Sequence, residues 1–467
     1  TRVLTYKIAY LLSNGISPAS ILALTFTNKA AREMRKRIGE LVGFKTSRYL
    51  MMGTFHSIFS RILRNEAELL GFTKDFTIYD SSDSKSLIKD IIRGMKLDDK
   101  VYKPGNVHGR ISGAKNNLFT SEAYKSNSDL IKSDEQARMP RIAEIYSAYA
   151  WRCKQANAMD FDDLLLLTAI LFRNHPEVLH KYQNMFGFIL VDEYQDTNFA
   201  QYLIIKNLAD NHHRVCVVGD DAQSIYSFRG ANIDNILKFQ QTYREARIFK
   251  LEQNYRSTKT IVNAANSLID KNSEQIKKTI FSEKEEGELI EIRSLHTNME
   301  EAHSVAKSIG AECVNEKINF NDIAVLYRTN SQSRVMEEAL RKQNIPYRIY
   351  GGLSFYQRKE IKDIISYFRL ITNHNDEEAL KRVINFPARG IGNVTIDKLS
   401  ETAHQHGVSM WTVLEDMLKY KLNVNAGTST KLSQFRNLIV NLSNQLFVLD
   451  AYELANLIVK STGVIAD

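Results

Sequence analysis

Cysteine is scarce. Three occur in 467 residues, Cys153, Cys216 and Cys313, far apart and without paired spacing. That pattern argues against a zinc site and against a disulfide framework, and it points to a reducing cytoplasm. No apolar run reaches the roughly 18 residues that a membrane-spanning helix needs, and no signal peptide opens the chain. Internal repeats and low-complexity tracts are also missing. There is no initiating methionine: the chain starts Thr1-Arg2-Val3-Leu4, which reads as a fragment. Charge is close to balanced, with 62 Lys and Arg against 54 Asp and Glu, a net +8. This moderate excess suits a polyanionic partner. What remains is the composition of an ordinary globular protein, 43% hydrophobic and 25% charged, long enough for three or four domains.

The most informative stretch is Phe186 to Asn198, which reads Phe-Gly-Phe-Ile-Leu-Val-Asp-Glu-Tyr-Gln-Asp-Thr-Asn. Its first six residues are mostly apolar and free of proline, the pattern of a strand buried on both faces. The run breaks at Asp192-Glu193, leaving two carboxylates at the carboxyl end, the edge of an open α/β sheet where ligands bind. An Asp there can hold Mg²⁺ on a nucleotide triphosphate, and an adjacent Glu can activate water. An acidic turn capping the next helix, with Thr197 or Asn198 as the cap, explains the same residues.

The same theme recurs along the chain. A helix over Thr1 to Leu12 precedes a buried strand, Ile21 to Thr25, with Phe26-Thr27-Asn28 at its end. The helix that opens at Lys29 has an apolar face (Met34, Ile38, Leu41) and a basic one (Lys29, Arg32, Arg35, Lys36, Arg37). The basic face is either solvated or, beside Thr27, Asn28 and a helix N-terminus, suited to phosphate oxygens. Met51 to Ser57 is again a strand, a hydroxyl cap at Thr54 and a helix; His56 reads as a turn histidine. Phe76 to Tyr79 is a short strand. From about Ser84 to Lys181 the pattern is helical and basic, with no convincing strand, as in an all-α insertion. Within it Asp160-Phe161-Asp162-Asp163 reads as an acid-rich helix start rather than a metal site.

Val215 to Val218 is a further buried strand ending in Gly219-Asp220-Asp221-Ala222-Gln223. The following Tyr226 and Phe228, beside Arg229, form either a stacking platform for unpaired bases or an aromatic hairpin in the core. Ile248 to Leu251, Leu289 to Ile292, Ile323 to Tyr327 and Tyr347 to Tyr350 read as strands. Helices between them, Met299 to Cys313 and Ser331 to Gln343, imply a second parallel sheet. Beyond about Asn375 only helices are expected. There Arg389-Gly390-Ile391-Gly392-Asn393 looks like a tight turn whose backbone amides could cradle phosphate, through Gly390 and Gly392.

Taken in order, these blocks resemble the superfamily 1A DNA helicases of the UvrD/Rep/PcrA type over essentially the whole chain. Ile21 to Met34 is similar to motif Ia, and Gly53 to Ser57 to the next DNA-contacting motif. Val191 to Asn198 is similar to motif II, Val218 to Gly230 to motif III, and Leu251 to Ser257 to motif IV. Leu326 to Arg334 and Gly351 to Glu360 are similar to the second motor domain.

The resemblance implies an α/β fold of two RecA-like parallel-sheet motor domains of the P-loop NTPase type, each carrying an α-helical insertion. The first motor domain would comprise 1–80 and 186–258, with its insertion at 81–185. The second would run over 259–373, with its insertion from 374 to 467. ATP and Mg²⁺ are the implied cofactors. Asp192 would hold Mg²⁺ and Glu193 would activate water at the same metal site. Gln223 would sense the γ-phosphate, Tyr255 would stack on adenine and Arg256 would reach the phosphates. Phe26, Phe161, Tyr226 and Phe228 would line a single-strand track, supported by Thr27, Asn28, Thr54, His56, Arg229 and Arg328. Phe228 stands where Trp is common in the family.

Thr1 matches the last residue of the family's Walker A motif, a ligand of nucleotide and metal. The Gly-rich loop before it, motifs V and VI and the completing arginine are absent from the sequence. The implied activity is an ATP-driven motor on single-stranded DNA that separates duplex at single/double-strand junctions, in repair or replication. Such a protein would be cytoplasmic, a monomer or weak dimer, in contact with repair or replication proteins. Alternatives are a DNA-binding module without turnover and a translocase that strips proteins from DNA.

Overall fold

In the strand Ile21–Thr25 (β1) all five residues are buried, and successive side chains point to opposite faces. Leu22 and Leu24 join Ile189, Val191, Phe55, Phe59, Ile204 and Leu208 in one core. Ile21 and Ala23 join Leu190, Leu4, Ile8, Met34 and Ile38 in another. A strand buried on both faces needs helices on both, and this is what the alternation builds.

The computed structural model describes residues 1–273, 275–350 and 355–464. Beside β1 lie Met51–Thr54 (β2), Phe188–Val191 (β5) and Val215–Val217 (β6), all parallel in the order β2-β1-β5-β6. Thr25 pairs with Thr54, and Leu24 with both Gly53 and Val191. The four carboxyl ends therefore meet at one edge, with β1 and β5 at its centre. Helices leave that edge at once: Thr27 Oγ accepts from Ala30 N at 3.1 Å to cap helix Asn28–Val42, and Thr54 Oγ accepts from Ser57 N at 3.3 Å to cap Phe55–Glu66.

Between β2 and β5 lies the insertion. It is not the all-α element expected from its sequence. Thr77–Tyr79 (β3) pairs in parallel with Ala158–Asp160 (β4), a three-residue strand too short to announce itself by periodicity. Around them helices Ser81–Gly94, Pro104–Asn116 and Ile142–Gln155 pack on Leu87, Ile88, Val107, Ile111, Tyr146 and Tyr149.

By contact the chain forms two compact units. The first comprises Thr1–Lys250, Asn272–Lys278 and Ile364–Asp467; the second comprises Leu251–Lys271 and Thr279–Asp363. Within the first, a C-terminal helical bundle closes over Leu370, Leu380, Ile391, Leu399, Trp411 and Phe435. It meets the insertion through charge. Arg369 bridges Asp83 (2.8 Å) and Asp376 (2.9 Å), Arg152 meets Glu377 at 2.7 Å, and Lys381 meets Asp90 at 2.7 Å.

The second unit packs helices Asn298–Asn315 and Ser333–Lys342 through Ala302, Ala306, Ile309, Ala339 and Leu340. The strand expectations fail here, and also over Ile248 to Lys250 at the end of the first unit's long segment. Ile248 to Leu251, Leu289 to Ile292, Ile323 to Tyr327 and the described Tyr347 to Tyr350 join no ladder. A bridge between Gln253 and Phe281 is the pairing found among the unit's described residues. An apolar run records a preference for burial, but a strand exists only when a neighbour takes its backbone hydrogen bonds. Leu289, Ile292 and Leu326 are instead 87%, 91% and 93% exposed. Among the described residues, no helix is long and apolar enough to cross a membrane.

Candidate active site

The edge where the four strands end carries the two carboxylates. Asp192 still belongs to the ladder, since its N–H donates to Leu24 O on β1 at 2.9 Å. Glu193 then takes a left-handed conformation, φ 53°, and Tyr194 N–H donates to the other side, to Val218 O at 3.0 Å. A non-glycine residue in that region carries strain that persists only where its surroundings impose it, commonly at functional sites. The reversal sets Asp192 deep in the edge, 2% exposed, with Glu193 turned out beside it.

Thr1 meets this pair. Its hydroxyl donates to Asp192 Oδ2 at 2.7 Å, so a hydroxyl and a carboxylate 191 residues apart in sequence converge on one point. A P-loop nucleotidase holds Mg²⁺ with this donor set, a Ser/Thr and an Asp at a strand end. The residues present fit that ion: Thr1 and Asp192 would hold it, and the ion would polarise a bound phosphate.

Glu193 is held from behind. Gln195, 1% exposed, donates to Glu193 Oε2 at 2.9 Å and accepts from Asp220 N at 3.0 Å. Its approach depends on Gly219, where a Cβ would stand 2.6 Å from Gln195 Oε1. Gln223 donates to Asp220 Oδ2 at 2.7 Å, so the glutamine expected to sense phosphate sits on the same polar chain as Glu193. Lys278 completes it, ion-paired with Asp220 and, at 2.7 Å, with Asp221. Burial opposes ionisation of Asp220, but hydrogen bonds from Lys278 and Gln223 outweigh it and hold this carboxyl below its usual range. Asp196 behaves oppositely: burial, then the charge of Glu193, pushes it up to about 6.

Beside the carboxylates runs an aromatic row. Phe26 stacks on Tyr226 with centroids 5.4 Å apart and planes at 29°, and Tyr226 leads on to Phe228 at 6.0 Å. Phe228 is 75% exposed, which excludes the core-hairpin alternative for it. Arg229 lies in the same turn, Ser227–Arg229. A second group forms where the helix after Thr54 meets the insertion: the His56 ring lies edge-on to Phe161 at 5.6 Å. Burial lowers the pKa of His56, so its ring is neutral at pH 7. Phe161 itself is exposed. The acids around it do start a helix, Asp163–Asn174.

The remaining candidates belong to other parts of the chain. Tyr255, Arg256 and Arg328, all exposed, belong to the second unit; the Tyr255 hydroxyl donates to Gln253 Oε1 at 2.6 Å. Gly390 and Gly392 lie in the C-terminal bundle. Gly390 has φ 67°, and Gly392 caps helix Asn393–His406. The amides of Arg389 and Ile391 both donate to Asn385 Oδ1, at 2.9 and 3.0 Å. They are therefore committed inward, and the cradle is narrower than the sequence suggested. The segment Gly351 to Ser354 lies outside the described residues. Gln195 and Lys278 carry no sequence signal for their parts, because one lies inside the acidic stretch and the other in an unremarkable Lys-Lys-Thr-Ile run.

Residues 1–244 match the family described as UvrD/REP helicase N-terminal domain, and residues 249–457 match the UvrD-like helicase C-terminal domain. The chain belongs to the UvrD/REP helicase family. Among its relatives, the protein named ATP-dependent DNA helicase PcrA from Staphylococcus aureus (strain Mu50) is 44% identical over 470 residues. The protein of that name from Staphylococcus epidermidis (strain ATCC 12228) is 44% identical over 468 residues. Each alignment covers 99% of this chain and 62% of the relative. The chain thus spans about three-fifths of the length of these curated family members.

Proposed function

We propose that this chain carries the nucleotide and single-strand machinery of an ATP-dependent DNA helicase or translocase. The observation that carries the reading is the 2.7 Å bond between Thr1 Oγ and Asp192 Oδ2, at the same sheet edge as the row Phe26, Tyr226 and Phe228. Support also comes from the family membership and from the names of the relatives. In this reading Thr1 and Asp192 bind the Mg²⁺ of Mg²⁺–ATP. Glu193, oriented by Gln195, takes the proton of the attacking water. Gln223, through Asp220 and Gln195, links the phosphate end to Glu193. Tyr255 takes the adenine and Arg256 the phosphates.

Single-stranded DNA lies along Phe26, Tyr226, Phe228 and Phe161, with Thr27, Asn28, Thr54, His56, Arg229 and Arg328 on its backbone. Gly390 and Gly392 offer a tight backbone turn to a DNA phosphate. The motor domains are 1–80 with 186–258 and 259–373, and the insertions are 81–185 and 374–467. The setting is cytoplasmic DNA repair or replication.

The test uses the full-length protein that contains this chain. Single-stranded DNA should stimulate phosphate release from ATP. Glu193→Gln should abolish release while retaining nucleotide, whereas Asp192→Ala should weaken Mg²⁺–nucleotide binding itself. Normal turnover in Glu193→Gln would refute the assignment of the water-activating group. DNA affinity should fall with added salt, as phosphate contacts release counterions.

A further inference from the structure

Asn116 ends the helix Pro104–Asn116, and its side chain uses both of its donors and its carbonyl oxygen. One amide hydrogen returns along the helix to Ser112 O at 2.9 Å, and the other goes to Asp162 Oδ1 at 2.9 Å. Its carbonyl accepts from Asn198 Nδ2 at 2.6 Å. These partners belong to segments distant in sequence. Asp162 directly follows Phe161. Asn198 closes the turn that begins at Asp192 and caps helix Phe199–Ala209 by accepting from Gln201 N at 2.8 Å. The third neighbour is Gly230, which ends the turn of Tyr226 and Phe228 at φ 85°; a Cβ there would stand 3.9 Å from Asn116 Cβ. A single amide thus joins the loop of Phe161 to the turn of Asp192 and Glu193, with the backbone of Gly230 in the aromatic turn close to its Cβ.

The residue before it strengthens the arrangement. Lys115, 1% exposed, is ion-paired with Asp160 at 2.7 Å and Asp163 at 2.8 Å. Lys115 and Asn116 together therefore hold all three carboxylates that flank Phe161. The lysine locks the insertion to itself. Asn116 does something else, since its bond to Asn198 crosses from the insertion to the motor core.

We propose that Asn116 is a positioning residue of the single-strand track, setting the Phe161 ring against the carboxylate turn and the Tyr226–Phe228 turn. This rests on the reading of Phe161 as a DNA-stacking residue. A change in the carboxylate turn then reaches the loop of Phe161 through one hydrogen-bonded amide rather than through the bulk of the insertion.

The test is a double-mutant cycle on the full chain, with affinity for fluorescein-labelled oligo-dT read by anisotropy and folding checked by thermal melts. Phe161→Ala alone should weaken binding roughly 5- to 150-fold. In the Asn116→Ala background the same change should cost less than about three-fold, because coupled residues are non-additive and independent ones add. The control cycle pairs Asn116→Ala with Arg328→Ala of the second unit and should be multiplicative. Multiplicative effects in the Phe161 cycle overturn the proposal, since a merely structural amide lowers affinity without changing what Phe161 contributes. Asn116→Asp, which keeps an oxygen toward Asn198 and puts one against Asp162, is read in the same cycle. If neither variant melts cooperatively, Asn116 is structural and the proposal fails. If Phe161→Ala leaves the affinity of the otherwise unaltered chain unchanged, the reading of the track is itself wrong, and the proposal falls with it.

Discussion

Replacing Phe228 by alanine separates two consequences that a buried aromatic would confound. The ring is 75% exposed, so about a quarter of its surface is out of water. Full burial of such a side chain stabilises by roughly 1.5–3 kcal/mol, so the variant should lose only about half a kcal/mol of stability. Base stacking is the larger effect, about 1–3 kcal/mol per base, and at 1.4 kcal/mol per decade the loss in affinity is roughly 5- to 150-fold. Tyr226→Ala should behave differently: its ring lies between Phe26 and Phe228, and both neighbours would shift. Phe228→Trp should keep a stacking face and retain binding. The assay is anisotropy with a labelled single strand, with melts on the same samples. A Phe228→Ala protein of unchanged affinity would remove this residue from the track. A large drop in melting temperature would refute the argument from exposure.

Gly219→Ala should destabilise the fold by about 1–3 kcal/mol, the usual cost of overpacking, because the new Cβ would meet Gln195 Oε1 and Ile236 Cδ1 at 2.6 and 2.8 Å; urea denaturation reads this. In the full-length protein the same change should cut ATP turnover, since Gln195 would be pushed away from Glu193. Lys115→Ala should cost about 3–5 kcal/mol by leaving the buried Asp160 carboxylate without its cation, and a loss under 1 kcal/mol would contradict the buried-pair reading. The Asp163 carboxyl is pushed up to about 7, by burial and then by Asp160. The folded chain therefore holds a proton that the unfolded chain releases near pH 4, and the stability from this group is lost as pH rises from about 4 to 7. Asp163→Asn removes that titration, so its melting temperature relative to the parent should be higher at pH 8 than at pH 5.

The sequence made some parts of this molecule plain and hid others for physical reasons. The strands β1, β2, β5 and β6 were readable because each is a short apolar run stopped by a hydroxyl, a carboxylate or a glycine; β1, β2 and β5 are largely buried, whereas β6, expected to be buried, is an edge strand whose residues are half-buried. Thr54 was readable as a cap because it stands between such a run and an amphipathic helix; Thr27, read for phosphate, caps its helix in the same way. Ala158–Asp160 was not readable, because three residues are too few to show a period of two. The segments near 289, 323 and 347 have the apolar character of strands, but backbone pairing depends on a neighbour that local sequence does not name. Asp192 and Glu193 stood out as a pair. Their support did not: Gln195, Lys278 and Asn116 act through bonds to residues tens of positions away, and a single polar side chain carries no record of its distant partner.

The pairing of β1 with β5 bears on how the protein is made. Ile21 lies opposite Phe188, on the far side of the whole helical insertion. Until Phe188 leaves the ribosome, β1 has β2 on one edge and nothing on the other, while Leu22 and Leu24 wait for Ile189 and Val191. The insertion, whose residues have by then all been made, can fold during that wait, and the central sheet cannot. A nascent chain halted just short of residue 188 would hold a finished insertion beside an open sheet edge, the kind of surface that pairs with other chains.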